Sequence, residues 1–257
     1  MLKALMILST SYFAWYFETY ETSAVYPFDP SYATPADAGE GRLIEERLQT
    51  RDGETLVVWR ARATNGKATL VYFSGNAGGL KDRADRFRQL IDAGYGVIAP
   101  AYRGSSGSTG SPDEMALLSD ALSLVEAEAG AALVLYGESL GTAVAIRLAA
   151  DGFGSRVVLE APFTSFTDLV GLQFPTEDLS ELITQKWENL PHAPGVNQPL
   201  LVLHGSEDRT VPIAMGRQIF ELAGSDDKQF FEVSDSGHSG LWTAEARAAL
   251  FAFLDRG

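Results

Sequence analysis

Cysteine is absent from the 257 residues, and histidine occurs only three times. The first absence excludes disulfides, thiolate metal sites and a cysteine nucleophile, while leaving the compartment open. The second confines any imidazole base to His192, His204 or His238. Positive charge is also scarce: 20 Lys and Arg against 34 Asp and Glu give a formal net charge of −14. Such a field repels phosphate backbones and anionic head groups, which argues against nucleic-acid binding as the main role.

Long hydrophobic runs are missing as well. The nearest approach to one is Ala4 to Phe17, uncharged and mostly apolar, but shorter than the roughly 17–25 residues a spanning helix needs. It has the length of a signal-peptide core, with Lys3 before it and the small residues Thr22-Ser23-Ala24 as a cleavage site after it. Residues 1–24 are therefore expected to export or anchor the protein, with the body facing outward from Lys3. An aromatic-rich helix packed on the body is the alternative. Prolines, glycines and alanines make residues 25–41 a linker, and residues 42–257 the folded domain.

What the chain does contain is a repeated alternation of strand-like and helical stretches, the pattern of a mainly parallel sheet with helices on both faces. Two early strands, Leu43–Gln49 and Leu56–Arg62, flank a hairpin turn at Arg51-Asp52-Gly53-Glu54. Thr69–Phe73, Val97–Pro100, Val157–Glu160, Leu200–Leu203 and Gln229–Val233 read as further strands. Leu80–Ala93, Met115–Glu128, Thr142–Ala150, Ile213–Ala223 and Thr243–Asp255 read as helices.

The most informative junction is Ala132-Leu133-Val134-Leu135-Tyr136 running into Gly137-Glu138-Ser139-Leu140-Gly141. An apolar strand ends in Gly-x-Ser-x-Gly and an alanine-rich helix follows, which is the setting in which a sharp turn lifts a serine hydroxyl clear of a sheet. A serine is a weak nucleophile until a neighbouring base activates it. His192 lies in a proline-bracketed loop and His204 ends an apolar run. His238, on the small loop Asp235-Ser236-Gly237-His238-Ser239-Gly240 after a strand, is the candidate base. Asp208, after the strand that ends at His204, is the candidate orienting acid, with Glu207 as its competitor. The order Ser139, Asp208, His238 is that of a Ser–His–Asp hydrolase built on a strand-to-helix elbow. The expected oxyanion donors are the backbone N–H groups of Leu140 and Asn76, the latter on the glycine-rich loop Ser74-Gly75-Asn76-Ala77-Gly78-Gly79. A phosphate-binding loop ranks below this, because both the Gly-Lys-Ser/Thr ending and the G-x-G-x-x-G spacing are missing.

Five motifs occur in series: Ser74-Gly75-Asn76-Ala77-Gly78, Ala101-Tyr102-Arg103-Gly104-Ser105-Ser106-Gly107-Ser108, Gly137-Glu138-Ser139-Leu140-Gly141, Glu160-Ala161-Pro162-Phe163-Thr164-Ser165 and His204-Gly205-Ser206-Glu207-Asp208. Over roughly residues 40–255 the chain resembles the small α/β-hydrolases that include many bacterial membrane-associated serine hydrolases and the eukaryotic depalmitoylase group. The resemblance implies an α/β-hydrolase fold with a mainly parallel sheet of about eight strands. It further implies an acyl-serine mechanism on an ester or thioester, with no cofactor and no metal. Relatives usually carry His-Gly-Asn-Ala-Gly, and Ser74 stands here in the histidine position.

Residues 161–199 are the insertion most variable in this fold. Phe163, Phe174 and Trp187 are the candidate lining of an apolar acyl pocket under a small cap. Packing of the same side chains on the sheet is the competing expectation. An amidase or aminopeptidase, or a silent fold kept as a binding module, are the functional alternatives.

Overall fold

The computed structural model describes residues 20–128, 132–175 and 180–256. Eight strands form one sheet: β1 (Ile44–Gln49), β2 (Thr55–Ala61), β3 (Thr69–Phe73), β4 (Gly96–Pro100), β5 (Leu133–Glu138), β6 (Arg156–Glu160), β7 (Leu200–Gly205) and β8 (Lys228–Val233). Their order is β1-β2-β4-β3-β5-β6-β7-β8. The hairpin β1–β2 and the pair β2–β4 are antiparallel, and every other pair is parallel. The parallel strands β3 to β7 are short and buried, as strands covered on both faces must be, while β8 at the edge is only half-buried.

Alternation along these strands builds two cores. Leu70, Tyr72, Val134, Tyr136, Val158, Leu201 and Leu203 share one face with Phe87 and Leu90 of α1 (Ala84–Asp92) and Leu250 and Phe253 of α6 (Ala244–Leu254). Val71, Phe73, Leu135, Val157, Leu159 and Val202 point the other way. There they meet α2 (Glu114–Ala127), α3 (Leu140–Ala150) and α5 (Ile213–Leu222). The remaining helix, α4 (Phe166–Gln173), lies in the 161–199 insertion and buries none of its residues.

Most element boundaries match the sequence reading to within a residue or two. Two differ informatively. The expected helix Leu80–Ala93 opens with a 3-10 turn, Leu80–Arg83, because the Asp82 carboxylate folds back to accept from Gly79 N–H at 2.8 Å. The elbow strand runs on through Gly137 to Glu138, and α3 starts immediately after Ser139.

Part of the N-terminal expectation lies outside the described residues, which begin at Tyr20. Residues 20–25 are helical, so the expected cleavage site Thr22-Ser23-Ala24 lies within a helix. Glu21 beside it is buried and accepts from Thr184 N–H, Thr184 Oγ1 and Gln185 N–H at 2.7–3.0 Å. The irregular segment that follows is packed on the body, with Val25 and Tyr26 both buried. Among the described residues, no helix is long and apolar enough to cross a membrane.

Candidate active site

The strand-to-helix junction holds Ser139 at φ 49° and ψ −112°, a conformation that costs a non-glycine residue about 1–3 kcal/mol. Several contacts over-determine it. Ser139 N–H donates to Glu160 O at 2.8 Å, and Thr142 Oγ1 donates to Ser139 O at 2.6 Å. The two flanking glycines are sterically required. A Cβ on Gly137 would lie 2.4 Å from Gly141 O, and one on Gly141 would lie 2.0 Å from Phe73 O. Only bare backbone lets α3 start this close to β3 and β5.

His238 and Asp208 arrive on the loops that follow β8 and β7. Those loops are stitched together by Glu207 N–H to Ser236 O at 2.9 Å and Asp235 N–H to Ser206 Oγ at 3.0 Å. The result is a continuous relay: Ser139 Oγ lies 3.0 Å from His238 Nε2, and His238 Nδ1 lies 2.8 Å from Asp208 Oδ2. The other carboxylate oxygen, Oδ1, accepts from Thr210 and Val211 N–H at 2.9 and 2.8 Å. Burial works to raise the Asp208 pKa, but the bonds from His238 and Val211 outweigh it and hold the carboxyl below its ordinary range. An ionised Asp208 demands Nδ1–H on the imidazole, which leaves Nε2 as the acceptor facing the Ser139 hydroxyl. Glu207, the competing acid, is exposed.

The other two histidines take different places. His192 sits 2.6 Å from Arg147 Nη1. His204 is fully buried in β7, and its Nε2–H donates to Val211 O at 2.9 Å. It thus braces the turn that carries Asp208. Burial lowers its pKa, so the ring is neutral.

The glycine-rich loop closes the other side. Tyr102 OH donates to Ser74 O at 2.9 Å, and Asn76 Nδ2 donates to Val25 O at 2.9 Å. Ser74 Oγ is buried with no hydrogen-bond partner among the described residues. Leu140 opens α3, so its N–H has no intrahelical acceptor. A cleft of about 170 Å³ brings Asn76, Ser139 and His238 together.

Its wall also includes four charged residues to which the sequence reading gave no role: Arg83, Arg86, Glu138 and Glu160. Arg83 forks onto Glu138, and Arg86 forks onto Glu160 at 2.7 and 2.9 Å. Tyr72 OH donates to Glu138 at 2.7 Å, and Tyr136 OH donates to Glu160. Burial pushes both phenols up. Burial also opposes ionisation of Glu138, yet Arg83 and Arg86 hold its carboxyl below the usual range. Both glutamates sit inside the quoted motifs, and Arg83 and Arg86 lie three apart just beyond the glycine-rich loop, but nothing local in the sequence pairs them.

Of the candidate acyl-pocket lining Phe163, Phe174 and Trp187, the structure gives Phe163 and Trp187 the packing alternative and leaves Phe174 half exposed. None of the three lines the Ser139 cleft. Phe163 and Trp187 are buried in the core, where Trp187 Nε1–H donates to Tyr26 OH at 2.9 Å. Phe174 ends α4 half exposed. The crossover's aromatic content goes into packing, because the insertion must bury itself on a sheet whose opening is already lined by charged groups. Among the described residues, no group of three or more His, Asp or Glu side chains is arranged to hold a metal ion.

Comparison with known proteins agrees with the fold. A model of the Alpha/beta hydrolase family matches residues 70–183. The chain is 30% identical over 231 residues to an uncharacterized Mycobacterium tuberculosis protein, covering 87% of this chain and 80% of that one. It is 32% identical over 207 residues to Protein bem46 of Schizosaccharomyces pombe, covering 75% and 69%. The mouse lysophosphatidylserine lipase ABHD12 is 29% identical over 240 residues, covering 77% of this chain and 60% of that protein. Among solved structures, a Pyrococcus furiosus esterase superposes with a TM-score of 0.72 at 19% identity, covering 90% of this chain and 98% of that one. With its sheet order, its elbow and these relatives, the chain belongs to the alpha/beta hydrolase family.

Proposed function

We propose that this protein is a serine hydrolase that cleaves a carboxylic ester or thioester through an acyl-Ser139 intermediate. The observation that carries this reading is the relay from Ser139 Oγ through His238 to Asp208, at 3.0 and 2.8 Å, on a strained elbow. Ser139 Oγ attacks the substrate carbonyl carbon as its proton passes to His238 Nε2. Asp208 holds the tautomer and stabilises the imidazolium. The oxyanion faces the N–H groups of Asn76 and Leu140. Collapse expels the alcohol or thiol, which leaves with the proton from His238. Water then repeats the sequence on the acyl-enzyme and frees the acid. No step calls for a cofactor or metal.

We place the catalytic domain at residues 42–257, with 161–199 as its insertion. A lipid-like acyl substrate is supported by the lysophosphatidylserine lipase among the relatives. The apolar stretch Ala4–Phe17 supports attachment to a membrane. With a net charge of −14, such attachment rests on apolar insertion rather than on attraction to anionic lipid.

The test is labelling by a fluorophosphonate of the wild type beside Ser139→Ala, with the modified peptide identified by mass spectrometry. Labelling at Ser139 that disappears in the variant is the expected result. An ester, thioester and amide panel then reads the preferred bond. A folded wild type that neither labels nor turns over any of them overturns the reading.

A further inference from the structure

The β3–β5 ladder ends at the pair Phe73–Gly137. Beyond it, the glycine-rich loop and the elbow run on separately, one carrying the Asn76 N–H and the other the Leu140 N–H. Two oxyanion donors on separate segments need a fixed spacing, and the ladder no longer supplies it.

One side chain spans the gap. Arg83 Nη1 donates to Ala77 O at 2.6 Å, the carbonyl directly after Asn76, and reaches Gly79 O at 3.5 Å. Its Nη2 and Nε donate to the two carboxylate oxygens of Glu138 at 2.9 and 3.2 Å. Glu138 immediately precedes Ser139 in the chain. A single planar guanidinium therefore ties the loop to the elbow through contacts of fixed relative direction. The fit is close, since a Cβ on Gly75 would lie 3.3 Å from Glu138 Oε1 and 3.5 Å from Arg83 Nη2.

Stability is a poor explanation for this arrangement. Arg83 is 8% exposed, and desolvating two ions offsets most of their attraction, so apolar replacements of buried pairs are often neutral or stabilising. What a fork supplies, and an apolar pair does not, is geometry.

We propose that Arg83 is a positioning residue that sets the spacing of the two oxyanion donors, acting through Ala77 O and through Glu138. The inference rests on the serine-hydrolase reading above. Arg83 is not bonded to the reacting hydroxyl; its effect passes through the Ala77 carbonyl and the Glu138 carboxylate that it holds.

The experiment compares wild type, Arg83→Lys and Glu138→Gln on an uncharged short-chain p-nitrophenyl ester and with a trifluoromethyl ketone as transition-state mimic. Lysine keeps the charge but cannot bridge a carbonyl and both carboxylate oxygens. Loss of a whole oxyanion donor costs about 10²–10³ in rate, so a displaced donor in Arg83→Lys is expected to lower kcat about 10–100-fold. KM should stay within about threefold, and the ketone should weaken by the same factor as kcat/KM. Glu138→Gln, which keeps the shape and one acceptor, shows the same pattern at smaller size and carries the test if Arg83→Lys does not fold. Hydrogen exchange across residues 74–79 quickens in both.

An active wild type with folded variants of unchanged kcat overturns the inference alone. So does a loss confined to KM, which would make Arg83 a substrate contact. A wild type that neither labels at Ser139 nor turns over ester overturns the serine-hydrolase reading and the inference with it.

Discussion

The loop Ser74–Gly79 and the crossover 161–199 both leave the sheet beside Ser139, and they are held differently. The loop is short, rich in glycine, and fixed by polar contacts from outside it: Tyr102 on Ser74, Val25 on Asn76, Arg83 on Ala77. The crossover is long and apolar. It is held by burying Phe163, Ile183 and Trp187 as well as by the Glu21 and Glu114 carboxylates on residues 184–187, while Leu172, Phe174 and Leu182 stay exposed. The buried aromatic residues of the insertion thus serve its packing, and none of them lines the Ser139 cleft. The groups around Ser139 are positioned by directional bonds, because only those fix an N–H to within a fraction of an ångström.

The comparison breaks most visibly at Trp187. Trp187→Ala removes a fully buried indole and its bond to Tyr26 OH, and should cost about 3–5 kcal/mol in urea unfolding. If packing is its whole role, the fraction that remains folded keeps its kcat and its acyl chain-length preference. A shifted preference at unchanged stability would return Trp187 to the site.

A smaller effect separates the polar side from the apolar one by pH. His204 faces Val211 O, Asp208, Arg217 and His238, and burial lowers its folded pKa below the ordinary 6.5. The unfolded chain therefore binds a proton that the folded chain refuses. Stability is intact above about pH 6.5 and falls as the pH drops through that value toward the folded pKa, by at most about 1.4 kcal/mol per pH unit. Asp208 acts in a lower window, since its depressed pKa stabilises the fold above 3.8 and is lost only in stronger acid. Urea midpoints between pH 7.5 and 5 should thus decline in the wild type and decline less steeply in His204→Gln, the remaining slope belonging to His192, whose pKa is lowered by burial and by Arg147. An unchanged slope would remove His204 as the cause.

The smallest effect is expected at Phe174. It is half exposed, so Phe174→Ala should change stability by no more than about 0.5 kcal/mol and leave chain-length preference alone. A change in preference would restore part of the crossover to substrate binding.

Much of this was legible in the chain. The elbow could be read because Gly137, Ser139 and Gly141 are dictated locally, by close approach and by an unusual φ/ψ that few sequences support. The strands could be read because burial on both faces requires short apolar runs. The choice of His238 over His192 and His204 followed from loop chemistry, and the structure brings His238 alone of the three within bonding distance of Ser139. The aromatic residues of 161–199 misled because apolar side chains look alike in sequence whether they line a pocket or fill a core. The Arg83–Glu138 and Arg86–Glu160 pairs escaped notice because charges 55 and 74 residues apart carry no local signature.

By itself, then, the sequence determined which residues could serve as nucleophile, base and acid, because those roles depend on side-chain chemistry and on turn types written over a few neighbouring residues. It likewise determined the layering of the sheet, which follows from alternation along each strand. Tertiary structure alone decided which far-separated charges meet, how the segment 20–29 fastens onto the glycine-rich loop, and which apolar residues face inward. The physical reason is that ion pairs and core contacts are set by distances between segments. Those distances exist only after the sheet has closed its register and brought β3, β5, β6 and β7 side by side.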